Sequence, residues 1–363
     1  MKIRTANYDD LEEIKALCAR NGLNIKKINQ KIWKELPAIK EFKNIPIGWV
    51  LESNEKKIVG VILNLFMNYT LNGKIYKAAI VSSWAVDDKY RKDSLNLFNC
   101  WLNQKNIDIL IDNRRAQRTA KILKAYKFKN ISTKDYQNIM YWVLDYPHFI
   151  RAVIKKKIKI FIGPFIFIAA AVLKLYDLII GRNKNFVHKK IANEVKSFDE
   201  KFYVFWNNLP KNNKFISERS SASLKWHFDR AINNKKISVL TLSDENILRG
   251  YTVIMRADND DIGLKRMQIV DLQTLPNNDN TTTDLITNAI MYARKQGVHI
   301  LEIVGFGDDV RNQAAKMNPY IRKLSYSPFF YKLISKDLKH AFSDKIEWDA
   351  SLYDGDGSLD AID

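Results

Sequence analysis

Cysteine is nearly absent, with only Cys18 and Cys100 in 363 residues. Two distant thiols make no disulfide framework and lack metal-ligand spacing, so the chain reads as the product of a reducing compartment with both sulfurs in its core. Glycine and proline are sparse as well, at 13 and 8 residues, which excludes collagen-like and low-complexity architectures. No apolar stretch follows the charges of Met1 to Asp10, so no cleavable secretory signal is expected and the chain is placed in the cytoplasm. None of the five histidines, His148, His188, His227, His299 and His340, has a second ligand nearby at metal spacing, so no metal is expected. Acidic residues are in deficit, 40 against 59 Lys and Arg, for a formal net charge of +19.

What is present is a globular composition. Hydrophobic residues at 46% and aromatics at 12% exclude disorder, while 27% charged residues and a mean hydropathy of -0.30 exclude a polytopic membrane protein. The length suffices for two domains, each with its own core. About half of the excess charge falls between Arg151 and Lys190, where ten basic residues face one acid, Asp177. Inside that segment, Ile160 to Leu173 reads IFIGPFIFIAAAVL without a charge. A spanning helix needs roughly 20 apolar residues, and Gly163-Pro164 breaks this run near its start. Basic residues flank both ends, so the asymmetry that orients a single span is missing. An interfacial or re-entrant segment on anionic lipid is the expectation, beside a helix buried between domains or a transmembrane helix from about 158 to 181. Nucleic acid is the other anionic surface, but no helix-turn-helix, RRM or zinc signature accompanies the charge, so no nucleic-acid partner is expected.

The two flanks repeat one order of elements. Strand Val81 to Val86, helix Asp93 to Gln104, strand Ile107 to Ile111, helix Arg115 to Tyr126 and a closing strand Ile139 to Leu144 make up the first series. Strand Met267 to Leu272, helix Asp284 to Gln296, strand Val298 to Val304, helix Asp309 to Lys316 and a closing strand Phe329 to Ile334 make up the second. Each half opens with strands around a polar turn, Trp49 to Leu65 and Ile237 to Met255. The pattern predicts an α/β protein with a mixed sheet in each half. The domains expected are 1–150, a basic amphipathic segment 151–190, a second domain 191–345 and an acidic tail 346–363. Asp354, Asp356, Ser358 and Asp360 in that tail have only the start of a calcium-loop spacing, with Leu359 where glycine belongs.

Met1 to Asp10 with the amphipathic Leu11 to Cys18, and Trp84-Ala-Val-Asp-Asp-Lys-Tyr-Arg91, together resemble the GNAT (Gcn5-related N-acetyltransferase) pattern, in which a strand ending in V-x-P-x-Y-R enters the coenzyme A loop. The second half is similar to degenerate GNAT-like domains of acyltransferases associated with polysaccharide genes, through Arg219, Leu224-Lys-Trp226, Trp348 and Asp354-Gly-Asp356. The resemblance implies two GNAT-like domains in tandem and acetyl-CoA or another acyl-CoA as co-substrate. It places Arg91 and Ser94 at the cofactor, where backbone N–H groups and a helix N-terminus meet pyrophosphate. The chain departs from the pattern there: both loop glycines are replaced, by Ser94 and Asn96, and Asp93 adds a negative charge. The family's thiolate-protonating Tyr falls on Leu123.

The second half has no glycine between Gln273 and Thr283. Its candidates for proton removal from an attacking amine or hydroxyl are the strand-end carboxylates Asp271 and Glu302, unless these are paired or solvated. Arg219, Trp226 and His227 form a group that could face a saccharide, with the indole on an apolar sugar face and the guanidinium on a phosphate; core packing is the other reading of Trp226. With the resemblance added, the expectation is a membrane-surface acyltransferase acting on an amino sugar or precursor of cell-surface polysaccharide, peripheral or monotopic at the inner membrane. The alternative is a non-catalytic GNAT-fold binding or scaffold protein at the membrane.

Overall fold

The structure, a computed structural model, describes residues 1–25, 28, 34–35, 42, 45–113, 117–131, 135–157, 163–182, 190–276, 280–324, 329–342, 346–357 and 359. Ala116, Ile160 to Ile162, Asn277 to Asp279, Ser358 and Asp360, all used in the sequence reading, lie outside the described residues.

In chain order the first elements are β1 (Lys2–Thr5), α1 (Leu11–Arg20), β2 (Gly48–Glu52), β3 (Ile58–Leu71) and β4 (Lys74–Val86). Then come α2 (Ser94–Leu102), β5 (Ile109–Asp112), α3 (Gln117–Ala125), β6 (Lys129–Asn130), β7 (Asn138–Val143), α4 (Tyr146–Lys157) and α5 (Gly163–Ile179). The next are β8 (Asn193–Val195), α6 (Glu200–Asn208), β9 (Lys214–Ser217), α7 (Ser221–Asn233), β10 (Ile237–Asp244) and β11 (Ile247–Arg256). Last are β12 (Arg266–Thr274), α8 (Thr281–Lys295), β13 (Ile300–Ile303), α9 (Asp308–Ala315), β14 (Tyr320–Lys323), β15 (Phe330–Leu333), α10 (Lys336–Ala341) and β16 (Glu347–Asp349). These form two compact units, the first from Met1–Ser132, Lys211–Ala231 and Tyr326–Asp363, the second from Thr133–Pro210 and Ile232–Ser325.

The units have the same strand order, β1-β2-β3-β4-β5-β15-β6 in the first and β8-β10-β11-β12-β13-β7-β14 in the second. The pairings correspond too: antiparallel from one edge up to β4 or β12, one parallel pair (β4 with β5, β12 with β13), then antiparallel again. The strands expected to close each half are exchanged. β7 pairs with β13 and β14 in the second sheet, and β15 pairs with β5 and β6 in the first. Every polar group along an unpaired edge asks for a partner, and either sheet offers the same edge to an incoming antiparallel strand, so periodicity alone does not say which sheet a closing strand joins.

The first sheet buries Leu11, Ile14, Leu17 and Cys18 of α1 and Leu97, Phe98 and Trp101 of α2. In the second, α8 presents Leu285, Ile286, Ala289, Ile290 and Ala293 at helical spacing to one face of the sheet, against Trp142, Ile254, Ile269, Leu272 and Leu301. Phe202 and Phe205 of α6 pack on Tyr251 of β11.

Of segment 346–363, expected as an acidic tail, the described residues 346–357 and 359 belong to the first unit. β16 runs parallel to β9, and Trp348 is buried in ring contacts with Tyr69, Phe215, Phe329, Tyr331 and Phe342. Asp354 and Asp356 are buried as well. Apolar and aromatic residues between the acids, Trp348, Tyr353 and Leu359, supply the burial that the acidic composition conceals.

Candidate functional site

In each unit the central parallel pair opens into a fork beside a β-bulge. In the first, β4 and β5 pair only from Ala78/Ile109 to Ile80/Ile111, after which β4 runs on to Val86. Beginning two residues past the last pair, Ser82 and Ser83 together oppose the single residue Leu63 of β3, since Asn64 faces Val81 and Ile62 faces Trp84. The extra residue re-aims the backbone where β4 loses β5 as a neighbour. Both serines are buried, and neither hydroxyl has a partner among the described residues. Buried hydroxyls normally have one, so two adjacent orphans at a fork mark a place built for something polar. Asp112, fully buried, is the residue next after the last β4–β5 pair.

The second fork follows β12 and β13, which pair from Arg266/Ile300 to Ile269/Ile303, with Val270 as the bulged residue. Its surroundings differ. The buried Arg311 donates to the carbonyls of Gly305 and Asn138 at 3.1 and 2.9 Å. Gly305 has φ +79° and lies so close to the Tyr136 ring that a Cβ would meet it at 2.8 Å. Val304 stands where the first unit has Asp112.

The expected cofactor residues begin α2. Asp88–Asp93 is a 3-10 turn, and Ser94 is the first residue of the α-helix, behind an Asp93 whose side chain makes no capping bond. Arg91 pairs with Asp88 at 2.5 Å on an exposed surface. Arg20 holds Asp87 by three bonds, at 2.8, 2.9 and 3.2 Å, which lowers that carboxyl's pKa. Two acids of this loop thus have arginine partners from the chain, the exposed Arg91–Asp88 pair being the weaker.

The catalytic candidates are both interior. Asp271 accepts from the Tyr251 hydroxyl at 2.8 Å. Glu302 accepts from Gln268 at 2.8 Å, Arg322 at 3.0 Å and Arg266 at 3.4 Å. With donors from β12 and β14 on its two oxygens, Glu302 of β13 is a cross-strand tie.

Arg219, Trp226 and His227, expected at a saccharide, are buried in the first unit. Arg219 donates to the Ser217 carbonyl and hydroxyl, both at 3.0 Å, and to Ser351 Oγ at 3.3 Å, with Asp354 at 4.0 Å and the Tyr353 ring below it at 4.8 Å. Asp354 accepts from Tyr69 at 2.8 Å and from the Ser351 amide at 2.7 Å. Arg219 thus has a carboxyl group of the chain itself at the limit of ion-pair distance. The His227 ring lies tilted against Tyr353, centroids 4.3 Å apart, and burial, with Arg219 near, pushes its pKa down to about 3. Trp226 meets His227 edge-on at 4.7 Å.

Asp145, His148 and His299 are the group of metal-ligating type among the described residues. His148 Nδ1 is 2.8 Å from Asp145, and the two rings stack at 4.9 Å. The Lys265 amide donates to His299 Nδ1 at 3.2 Å, which places the proton of the neutral ring on Nε2 and leaves that nitrogen without a lone pair for a metal.

Ser82 and Ser83 were missed in the sequence, although the signal is there: two hydroxyls inside VSSWAV, an otherwise apolar strand. Asp112, closing the run ILID, is a second such signal.

No protein-family model matches the sequence, and no curated protein matches it. Solved structures do match in fold. A conserved protein of unknown function from Enterococcus faecalis V583 superimposes with TM-score 0.57 at 12% identity over 92% of this chain and 72% of its own. A GCN5-related N-acetyltransferase from Anabaena variabilis gives 0.56 at 12% identity over 92% and 73%. N-myristoyltransferase of Saccharomyces cerevisiae, solved with myristoyl-CoA, gives 0.50 at 10% identity over 91% and 78%. The chain is an α/β protein of two GNAT-like mixed-sheet domains in tandem.

Proposed function

We propose that this chain is an acyl-CoA-dependent acyltransferase working at a membrane surface, with acetyl-CoA or a longer acyl-CoA as donor. The observation that carries the reading is the first unit's fork, with a bulge, two buried orphan hydroxyls and a buried carboxylate at its mouth. The fold likeness, which includes a transferase solved with myristoyl-CoA, supports it. The acceptor proposed is the amine of an amino sugar or of a related precursor of cell-surface polysaccharide, and the location is the cytoplasmic face of the inner membrane.

Acyl transfer from a thioester forms a C–N bond and breaks a C–S bond; the amine gives up a proton and the departing sulfur takes one. That chemistry asks for donors near the carbonyl oxygen and for a base. Ser82 and Ser83 supply hydroxyl donors at the bulge, beside β4 amides that have lost β5 as a neighbour. Asp112 is the carboxylate best placed in the first unit to accept the amine proton. In the second unit the carboxylate lies on the other strand of the fork: Asp271 of β12, two residues past the last pair like Ser82, accepts from Tyr251. At the phosphate end, the N-terminus of α2 and the basic Lys89 and Lys92 favour pyrophosphate, while Asp93 opposes it.

The second reading, a binding protein without turnover, is favoured by one observation: the loop from Asp87 to Asn96 contains no glycine. Isothermal titration of the full chain with acetyl-CoA and myristoyl-CoA, followed by thiol release with amino-sugar acceptors, separates the two. Micromolar binding with turnover supports the enzyme, whereas no binding of either acyl-CoA, or binding without turnover for any acceptor, overturns it in favour of the scaffold.

A further inference from the structure

Helix α5 is seated on the second unit by one narrow stripe. Ile166, Ala170 and Asp177 are buried and Leu173 partly so, a spacing of i, i+4, i+7 and i+11 that keeps one face inward. Ala170 and Leu173 pack with Val143, Tyr146, Phe149 and Ile300. Near the helix's C-terminal end the stripe is polar. Asp177, fully buried, accepts from the Tyr146 hydroxyl at 2.8 Å, the Tyr320 hydroxyl at 2.5 Å and the Arg182 guanidinium at 2.7 Å, and Arg182 lies 3.6 Å over the Tyr320 ring. A buried carboxylate with three donors tolerates no rotation of the helix, because turning it strands the charge.

The opposite half of the helix is apolar and exposed. Phe165, Phe167, Ile168, Val172, Leu175 and Ile179 are each 59% to 72% exposed. At about 100° per residue these positions fall within an arc of roughly 180° centred opposite the docked stripe. Lys174, the one lysine of α5, falls at the edge of that arc. A helix apolar all round belongs in an apolar medium, and here only a quarter or so of the surface finds one within the protein. At 17 residues the helix is about 25 Å long, and among the described residues no helix is long and apolar enough to cross a membrane. A second helix would cover a stripe, not a half-cylinder; a bilayer surface covers a half-cylinder. The charge agrees with lipid: Arg151, Lys155 and Lys156 on α4 are exposed, and the segment from 151 to 190 carries ten basic residues against one acid.

We infer that α5 is a fixed, prebuilt blade that lies in the plane of an anionic bilayer and sinks its outer half into the interface, held at one rotation by the Asp177 latch. The inference rests on the membrane placement proposed above and is independent of acyl transfer. It orients the second unit on the membrane with α4's basic side chains beside the headgroups.

The test is co-sedimentation of the full chain with vesicles of phosphatidylcholine mixed with phosphatidylglycerol, and of phosphatidylcholine alone. The native chain is expected to sediment with the mixed vesicles and to bind the neutral ones at least tenfold more weakly. A variant carrying Phe167→Ser, Val172→Ser and Ile179→Ser is expected to lose at least tenfold on mixed vesicles while keeping the native circular dichroism and thermal midpoint. Since these side chains face solvent, folding is not at stake. If that variant binds as the native chain does while Lys155→Gln/Lys156→Gln does not, the membrane placement stands and the blade is overturned. No sedimentation of the native chain overturns both, and a concentration-dependent dimer that the serine variant dissolves assigns the face to a second copy and overturns the blade.

Discussion

The Tyr320 hydroxyl donates to Asp177 Oδ1 at 2.5 Å, joining β14 to the end of α5. Burial and that carboxylate together raise the tyrosine's pKa well above its usual value, so the phenol remains a donor throughout the pH range in which the protein is handled. Breaking the latch from the acid side should be costly: Asp177→Ala strands Arg182 and two phenols, at about 3–5 kcal/mol. Tyr320→Phe, which leaves two donors on the carboxylate, should cost about 1–2 kcal/mol. Urea unfolding of the three proteins measures the difference; equal costs would mean that the carboxylate is not the centre of the latch.

The exchange of β7 and β15 predicts that neither half of the chain is a folding unit. Residues 1–150 lack the strand that pairs with both β5 and β6, and they carry β7 without its partners β13 and β14. The fragment 1–150 should show no cooperative thermal transition and should expose apolar surface to a hydrophobic dye. A sharp transition in the isolated fragment would contradict the exchange.

Arg219 predicts a non-additive pair. Arg219→Met removes a buried cation and leaves Asp354 behind, at about 3–5 kcal/mol, whereas Arg219→Met with Asp354→Leu should cost less than the sum of the single changes. Burial already pushes the Asp354 carboxyl up, against the pull of Arg219. An acid whose folded-state pKa is raised contributes most when protonated, so the Arg219→Met defect should shrink as pH falls below that pKa. Denaturant midpoints of the four proteins at two pH values test both statements.

His227 predicts an acid-side loss of stability. Its folded-state pKa is depressed to about 3 from 6.5. Between those values the unfolded chain binds a proton that the folded chain refuses, so stability falls as pH drops, by about 1.4 kcal/mol per pH unit from this group. Above pH 6.5 the group contributes no slope. Substituting His227→Phe should flatten the profile between pH 6 and 4 by close to one proton, as read from unfolding free energies; parallel profiles would refute the assignment.

Much of the fold was legible in the sequence. The periodicity of Leu285, Ile286, Ala289, Ile290 and Ala293 located α8, and the short apolar runs ILID and ILEI located β5 and β13, because burial on one face or two leaves a direct pattern. Strand exchange was not legible, since both sheets offer equivalent edges. The site was read less well for a different reason. Arg219 and His227 are polar residues whose partners, Asp354 and Tyr353, lie more than a hundred positions away, so a buried cluster resembled a ligand-facing one. Ser82 and Ser83 drew no attention because a bulge depends on the register with β3, which a single strand does not reveal.

The most direct test of the central claim is backbone hydrogen exchange of the full chain, read by mass spectrometry with and without desulfo-CoA. An acyl-CoA site at the first fork predicts added protection along β4 beyond Ile80, through Ser82 and Ser83 to Val86, and at the start of α2. Protection confined to β12 beyond Ile269, or no change in either sheet, would contradict it.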